Sequence, residues 1–207
     1  MWYDKSKVEI LDPQNWYDLA SKVYSKFHKL LDNWDNWLWK KYLPRNLSWL
    51  KIVDLWSGDC RMSKYFKDKN IKEYRAVDIS ENMLKKCKSW ITTVQLDLEL
   101  SNWDVLPKNY FDLALWFFLL IHIKDLNNFF KNLYDILNNW WKGIFLHHTE
   151  RRQYVYNINW KQFKIFSLHH SIKDIVNFAE YNWFKVSYQE IIENWVNIWY
   201  IILLEKS

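Results

Sequence analysis

The chain has 207 residues, half of them apolar, with a formal charge of +5 and a pI near 9.0. That length supports one domain with a sizeable core, or one domain and a small appendage. No uncharged apolar run approaches the roughly 20 residues of a membrane span, the N-terminus Met1-Trp2-Tyr3-Asp4-Lys5 lacks the basic head and apolar core of a signal peptide, and the basic residues are spread along the chain, which favours a solvated surface over a nucleic-acid partner.

Residues 1–44 read as a helical lead-in, placed as a partial lid. Gln14 to Leu31 puts Tyr17, Ala20, Val23, Tyr24, Phe27, Leu30 and Leu31 at helical spacing. Asp12-Pro13 supplies the start. Asn33 to Trp37 reads as a loop, and Tyr42-Leu43-Pro44 closes a short segment. Residues 45–207 then alternate. Lys51–Leu55 predicts strand one and Ser63–Lys69 belongs to the first helix. Glu73–Val77 is strand two, ending at Asp78. Ser80 caps a helix that runs to about Lys88. Ile91–Leu96 is strand three, ending at Asp97, and Phe111–Phe117 is strand four. Leu126–Leu137 is amphipathic, with Phe129, Phe130, Leu133, Ile136 and Leu137 inward. Lys142–Leu146 is strand five. A helix over Ile172–Tyr181 precedes two strands, Phe184–Ile192 and Val196–Leu204. Strand-helix alternation predicts an α/β fold, a Rossmann-like, doubly wound, seven-stranded sheet, mostly parallel with an antiparallel last strand.

Cys60 and Cys87 are the only cysteines and lack metal-ligand spacing. They fit a reducing cytoplasm, with one bridge possible. Two totals are abnormal: glycine 2 and tryptophan 16. At an average usage of about 7%, a chain this long carries roughly fourteen glycines. Eight tryptophans follow asparagine: Trp16, Trp34, Trp37, Trp103, Trp140, Trp160, Trp183 and Trp195. Asn-Gly is a turn signal because both residues tolerate positive φ, and Asn-Trp is not one. Glycine at these positions restores ordinary punctuation, including a hairpin at Asn194-Trp195. The composition therefore predicts that many of the tryptophans are glycines encoded by UGA, a codon some bacterial lineages decode as glycine. UGG codons at these positions would end the idea.

The ordered motifs resemble the class I S-adenosylmethionine-dependent methyltransferases, in particular the small-molecule group that includes ubiquinone and menaquinone methyltransferases. The family's D-L-G-x-G-x-G turn stands here as Asp54-Leu55-Trp56-Ser57-Gly58-Asp59-Cys60. Acids end the next two strands, in Val77-Asp78-Ile79-Ser80 and Gln95-Leu96-Asp97-Leu98. Phe111-Asp112-Leu113-Ala114-Leu115 leads through an apolar stretch to His122. Asn139-Trp140-Trp141-Lys142 stands for a Pro-Gly-Gly turn, and Asn182-Trp183-Phe184 for Asn-Gly-Phe. The resemblance covers about residues 45–205. Three of these matches require glycine where tryptophan is printed, and Cys60 departs from the third glycine.

The resemblance implies S-adenosylmethionine as cofactor and a small-molecule acceptor. It implies a close backbone approach at Trp56, Ser57 and Gly58, where glycine suits the turn. Asp54 would lie near the methionine amino group, Asp78 with Ile79 at the ribose hydroxyls, and Asp97 with the Leu98 N–H at the adenine edge. Strand-end turns are the structural alternative for Asp78 and Asp97. On the acceptor side, His122, His147 and His148 lie at strand ends, where ligands of open α/β sheets sit, and a histidine there could take a proton. Alternation along a strand lets at most one of His147 and His148 reach the site. Arg151 and Arg152 could bind an anion, and Tyr154, Tyr156 and Phe163 are acceptor-pocket candidates. A nicotinamide-dependent oxidoreductase needs G-x-G-x-x-G, and Arg61 fails the third position. A non-catalytic nucleotide-binding module gains weight if Trp56 is native, because an indole in the turn obstructs a cofactor.

Overall fold

The computed structural model describes residues 8–27, 38–148, 155–158, 161–193 and 196–206. A short strand β1 (Glu9–Leu11) leads into helix α1 (Pro13–Tyr24), which Asp12 caps by accepting from the Asn15 N–H at 3.0 Å. The strands that follow are β2 (Lys51–Leu55), β3 (Glu73–Asp78), β4 (Thr92–Gln95), β5 (Phe111–Phe117) and β6 (Leu137–His148). Helix α2 (Glu81–Leu84) lies between β3 and β4, and α3 (Leu126–Ile136) between β5 and β6. Strands β7 (Tyr156–Ile158) and β8 (Lys161–Ile165), helix α4 (Ile172–Tyr181), and strands β9 (Phe184–Glu193) and β10 (Val196–Lys206) complete the described chain.

The central sheet has the order β4-β3-β2-β5-β6-β10-β9. Its pairs from β4 through β6 are parallel, and β10 runs antiparallel to both β6 and β9. Alternating side chains feed two cores, as a period of two requires. Val53, Leu55, Ala114, Trp116 and Phe145 face α3 and α4, meeting Phe129, Phe130, Leu133, Ile175 and Ala179. Ile52, Leu113, Leu115, Ile144 and Leu146 face the other way, toward Trp39, Met62, Phe66 and Leu84. Phe129 and Phe130 are fully buried, and each such side chain stabilises the fold by about 1.5–3 kcal/mol. Asp125 caps α3 through the Asn128 N–H, and Ser171 with Asp174 forms a capping box on α4. No helix among the described residues is long and apolar enough to cross a membrane.

Four local expectations change. The helix expected over Ser63–Lys69 is a 3-10 turn, Arg61–Tyr65, held by i→i+3 bonds such as Phe66 N–H to Ser63 O at 2.9 Å. The helix after Ser80 ends at Leu84, not near Lys88, and the chain tightens toward Cys87. Cys87 is bridged to Cys60, with Cα atoms 5.3 Å apart, so this short connection is pinned to the turn after β2. Strand β6 starts at Leu137, five residues early. Its register on β5 jumps from Phe111–Leu137 to Leu113–Lys142, so the expected turn at Asn139–Trp141 becomes a bulge within the strand. The helix expected to reach Leu31, the Asn33–Trp37 loop and the Asn194-Trp195 turn extend into or lie in residues outside those described.

The fifth difference is a second sheet. Strand β8 pairs parallel with β1 and antiparallel with β7. Trp16 and Ala20 of α1 pack with Phe163 and Ile165 of β8 in a small core of their own. A segment that precedes the central sheet's sequence thus meets one inserted between its strands β6 and β9. Asp18 accepts from the Ser80 hydroxyl and the Ser21 carbonyl accepts from the Lys86 ammonium, which fastens α1 to the segment after β3.

Candidate functional site

The end of β2 makes a turn with unusual backbone. Trp56, Gly58 and Cys60 adopt φ of 67°, 56° and 64°, all left-handed. Ser57 donates its N–H to Val77 O at 2.9 Å, and Cys60 donates to Ser57 O at 2.9 Å, so the chain must reverse within five residues. A Cβ on Gly58 would stand 3.3 Å from the Met83 Cε, so space as well as φ favours glycine there. A left-handed φ costs a residue with a Cβ about 1–2 kcal/mol.

Two buried carboxylates flank this turn. Asp78, at the end of β3, is 2% exposed and accepts from the Gly58 N–H at 2.8 Å and the Ser80 N–H at 2.9 Å. Burial pushes its pKa up to about 6, against the pull of those N–H groups. Asp54, 1% exposed in β2, accepts from the Tyr74 hydroxyl at 2.5 Å. Burial pushes Asp54 up to about 7, while the Tyr74 hydrogen bond and the Arg61 charge act the other way. Tyr74 and Tyr24 are themselves pushed well up, by burial first, and stay protonated.

Asp54, Ser57, Gly58, Arg61 and Asp78 line a cavity of about 70 Å³, closed on the α1 side by Tyr17 and Tyr24 and at the end of β5 by Phe117 and Phe118. Ligand cavities are typically about 300–1,000 Å³. The indole of Trp56 lines this cavity. It stacks on His122 with ring centres 5.1 Å apart and meets the edge of Tyr17 at 5.4 Å. Its buried Nε1 has no hydrogen-bond partner among the described residues.

The remaining candidates lie off this cavity. Ile79 offers its carbonyl to Gln95 Nε2 at 3.0 Å. Asp97 accepts from the Glu99 N–H at 3.0 Å, a strand-end turn, and Leu98 is buried in the core. His122 bonds through Nδ1 to Phe166 O at 3.1 Å, and His147 through Nε2 to His170 O at 3.0 Å. A carbonyl only accepts, so those two nitrogens carry the protons. Burial lowers His147 to about 4, which leaves the ring neutral at pH 7. Its Nδ1 is buried without a partner among the described residues. His170 Nε2 donates in turn to Ile123 O at 2.7 Å. These bonds tie residues 166–171 across the ends of β5 and β6. Among the acceptor candidates, Tyr156 packs on Trp16 with ring centres 4.8 Å apart and Phe163 sits in the small core. Tyr154, Arg151, Arg152 and the His148 side chain lie outside the described residues.

Sequence reasoning missed Tyr17, Tyr24, Arg61 and Tyr74. Tyr74 had a signal. It precedes Asp78 by four residues on a strand, so the two share a face, and parallel pairing sets Tyr74 beside Ile52 with Asp54 one pleat further on. Among the described residues no group of three His, Cys, Asp or Glu could hold a metal ion.

Residues 53–140 match the family described as a methyltransferase domain. No curated protein matches the chain. Several solved structures share its fold. An S-adenosylmethionine-dependent methyltransferase from Mesorhizobium loti is 16% identical with a TM-score of 0.69, over 83% of this chain and 97% of that one. The PH0226 protein from Pyrococcus horikoshii OT3 is 16% identical with a TM-score of 0.72, over 93% of this chain and 99% of that one. DhpI, in its complex with SAH, is 14% identical with a TM-score of 0.72, over 93% of this chain and 94% of that one. At these identities the likeness is one of fold.

Proposed function

We infer that the methyltransferase domain matched over residues 53–140 makes this chain an S-adenosylmethionine-dependent methyltransferase, and that its acceptor is a small molecule of the kind the quinone methyltransferase group modifies. The carrying observation is the three-fold left-handed turn after β2, set between two buried carboxylates at the strand ends. Asp54 takes the donor's amino group and Asp78 the ribose hydroxyls. The backbone of Trp56, Ser57 and Gly58 takes the methionine portion. Ile79, Asp97 and Leu98 belong to the ribose and adenine side, and His122, His147 and His148 to the acceptor side. Residues 1–44 act as a partial lid on a domain spanning 45–207. Methyl transfer depends mainly on holding donor and acceptor in line, so the protein's work is positioning.

The polar groups suit this cofactor, and the space does not while Trp56 fills it. We therefore propose that residue 56, and others of the sixteen tryptophans, is glycine in the native protein, decoded from UGA. Three observations support this. Trp49, Trp56 and Trp183 are three of the seven non-glycine residues with positive φ among those described. Trp49 is the third residue of a turn closed by Leu50 N–H to Leu47 O, and Trp183 follows the cap of α4, both places where glycine is favoured. Trp16, Trp56, Trp103, Trp116 and Trp141 bury an indole N–H with no hydrogen-bond partner among the described residues, where a buried indole ordinarily finds one.

The codon at each position tests the decoding, and UGG at 56 ends it. For the function, the Trp56→Gly protein is given donor with an isotopically labelled methyl group and a cell extract. Label in the small-molecule fraction is the expected result. Label confined to RNA or protein overturns the acceptor class.

A further inference from the structure

The turn after β2 is tied to the rest of the molecule by a covalent link that the family match does not assign. We propose that Cys87 is a thiol-exchange site, and that the Cys60–Cys87 bridge it makes or breaks sets the methyl-donor affinity of the turn. The affinity half rests on the S-adenosylmethionine reading, and the exchange half does not.

The bridge holds the one strained residue that closes this turn. Cys60 has φ of 64°, a conformation that costs a residue with a Cβ and costs glycine nothing. Cys60 does not line the cavity, but Ser57, Gly58, Asp59 and Arg61 beside it do. At the other end of the bridge, Cys87 has its Cα 5.3 Å from that of Cys60. It belongs to the segment that joins the turn to α1. That segment sets Met83 against Gly58. Its Ser80 donates the N–H to Asp78 and the hydroxyl to Asp18, and its Lys86 donates to the Ser21 carbonyl. A cross-link favours the conformation in which its ends meet. Closed, the bridge keeps Cys60 left-handed and the cavity wall in place. Open, it leaves the turn with a strained residue and no covalent hold on it.

The two sulfurs differ in access. Cys60 is 3% exposed, whereas Cys87 is partly exposed. Lys85, Lys86 and Lys88 flank Cys87, and Glu81 pairs with Lys85 at 3.0 Å. The local charge stays positive and attracts an incoming thiolate. A thiolate of a small dithiol attacks the Cys87 sulfur, the Cys60–Cys87 bond breaks, and Cys60 leaves as a thiolate that takes a proton. The second thiol of the reductant attacks the mixed disulfide, frees Cys87 and becomes the reductant's own disulfide. Two electrons and two protons pass to the protein. In the reverse direction the Cys87 thiolate attacks glutathione disulfide and one glutathione leaves. Cys60 then displaces the second glutathione and closes the bridge.

S-adenosylhomocysteine is titrated calorimetrically into the full-length Trp56→Gly protein, oxidised by glutathione disulfide or reduced by dithiothreitol, and into its reduced Cys60→Gly and Cys87→Ser derivatives. The oxidised parent should bind about tenfold tighter than the reduced parent. Cys87→Ser should bind like the reduced parent. Cys60→Gly also lacks the bridge, yet glycine takes the left-handed turn freely, so it should bind like the oxidised parent. A loss of general stability would weaken both variants alike. Mass spectrometry after glutathione disulfide reads the exchange without ligand. Glutathione should accumulate on Cys87 of Cys60→Gly, which has no second thiol to displace it, and Cys60 of Cys87→Ser should stay unmodified. Equal affinity in the oxidised and reduced parent, tighter binding on reduction, or equal weakening of both variants overturns the affinity claim. Glutathione on Cys60 with none on Cys87 overturns the exchange site. If the oxidised parent binds no S-adenosylhomocysteine, the S-adenosylmethionine reading fails and the affinity claim with it, while the mass spectrum still decides the exchange site.

Discussion

Replacing Trp56 by glycine should create a cofactor site at little expense in stability. Truncating a fully buried aromatic side chain usually costs about 3–5 kcal/mol. Trp56 is only partly buried, so its loss falls at or below the lower end. Against that loss, glycine removes about 1–2 kcal/mol of left-handed backbone strain at φ 67°. It also removes a buried indole N–H without a partner among the described residues, worth about 1–3 kcal/mol. The net change lies within about 2 kcal/mol of zero. For a chain of this size that moves Tm by no more than roughly 8 °C. Ligand linkage then gives a second readout. At a hundred times Kd, S-adenosylhomocysteine should raise Tm of the glycine variant by roughly 5–10 °C, and leave the tryptophan form unmoved. Trp56→Ala separates space from strain. It opens the same volume while retaining the left-handed cost, so it should bind ligand yet melt below Trp56→Gly by roughly 2–8 °C. Thermal melts with and without ligand, backed by calorimetric Kd values, measure all of this. Equal affinity in the tryptophan and glycine forms would refute the steric argument. A loss above about 5 kcal/mol on Trp56→Gly would show that the indole is a native core residue.

Three further outcomes follow from the same geometry. Asp78→Ala strips the acceptor from the Gly58 and Ser80 N–H groups and should destabilise the fold by about 1–3 kcal/mol per orphaned donor, read by denaturant titration, while abolishing nucleoside binding; retained methylthioadenosine affinity would remove Asp78 from the site. Asp54 sits at about 7 and Asp78 at about 6 when folded, above their usual 3.8, so the folded state holds extra protons between those values, and their contribution is fully present below about pH 4 and lost as pH rises to 7. His147, lowered to about 4, has the opposite slope between 4 and 6.5, so the clean test is the difference between the chain and Asp54→Asn, whose stability advantage should grow from pH 5 to pH 8; a constant difference refutes the shift. Reduction of the Cys60–Cys87 bridge, which spans 27 residues of sequence, should cost about 3–4 kcal/mol, or roughly 6–16 °C of Tm; a Cys87→Ser chain should lose as much and ignore added dithiothreitol, and a melt that reductant does not move argues against the bridge.

The central sheet was largely legible because its signals are local. Strands β2 and β5 are short buried runs rich in apolar residues, and Leu126 to Ile136 repeats with helical period. Asp54 and Asp78 stood out only through the ordered motifs of the resemblance, and the structure places both, buried, beside the turn after β2. The lengths of the connections were not legible. Ser63–Lys69 carries the composition of a helix, yet the left-handed Cys60 and its bridge to Cys87 tighten the segment into a 3-10 turn. The bulge after Leu137 was hidden because the sequence shows a turn signal, and only pairing with β5 shows that the strand passes through it. Asp97 shows the limit for site residues. The same side chain that suits an adenine edge also closes its own turn through the Glu99 N–H, and sequence cannot separate the two uses.

The second sheet was invisible for a different reason, and it bears on how the site works. Strand β1 pairs with β8 across more than 150 residues of sequence, so neither three-residue strand nor its partner announces itself locally. That pairing holds α1 where Tyr17 and Tyr24 close the cavity. Two polar tethers, Asp18 to Ser80 and Lys86 to the Ser21 carbonyl, bind the same helix to the segment that follows Asp78. Across the ends of β5 and β6, His122 bonds to Phe166 O and His147 to His170 O. Helix α1, which lines the cavity through Tyr17 and Tyr24, is thus held by segments remote from the turn itself. Removing the Trp56 indole should enlarge the cavity from within, while α1 and its tethers hold the side that Tyr17 and Tyr24 line.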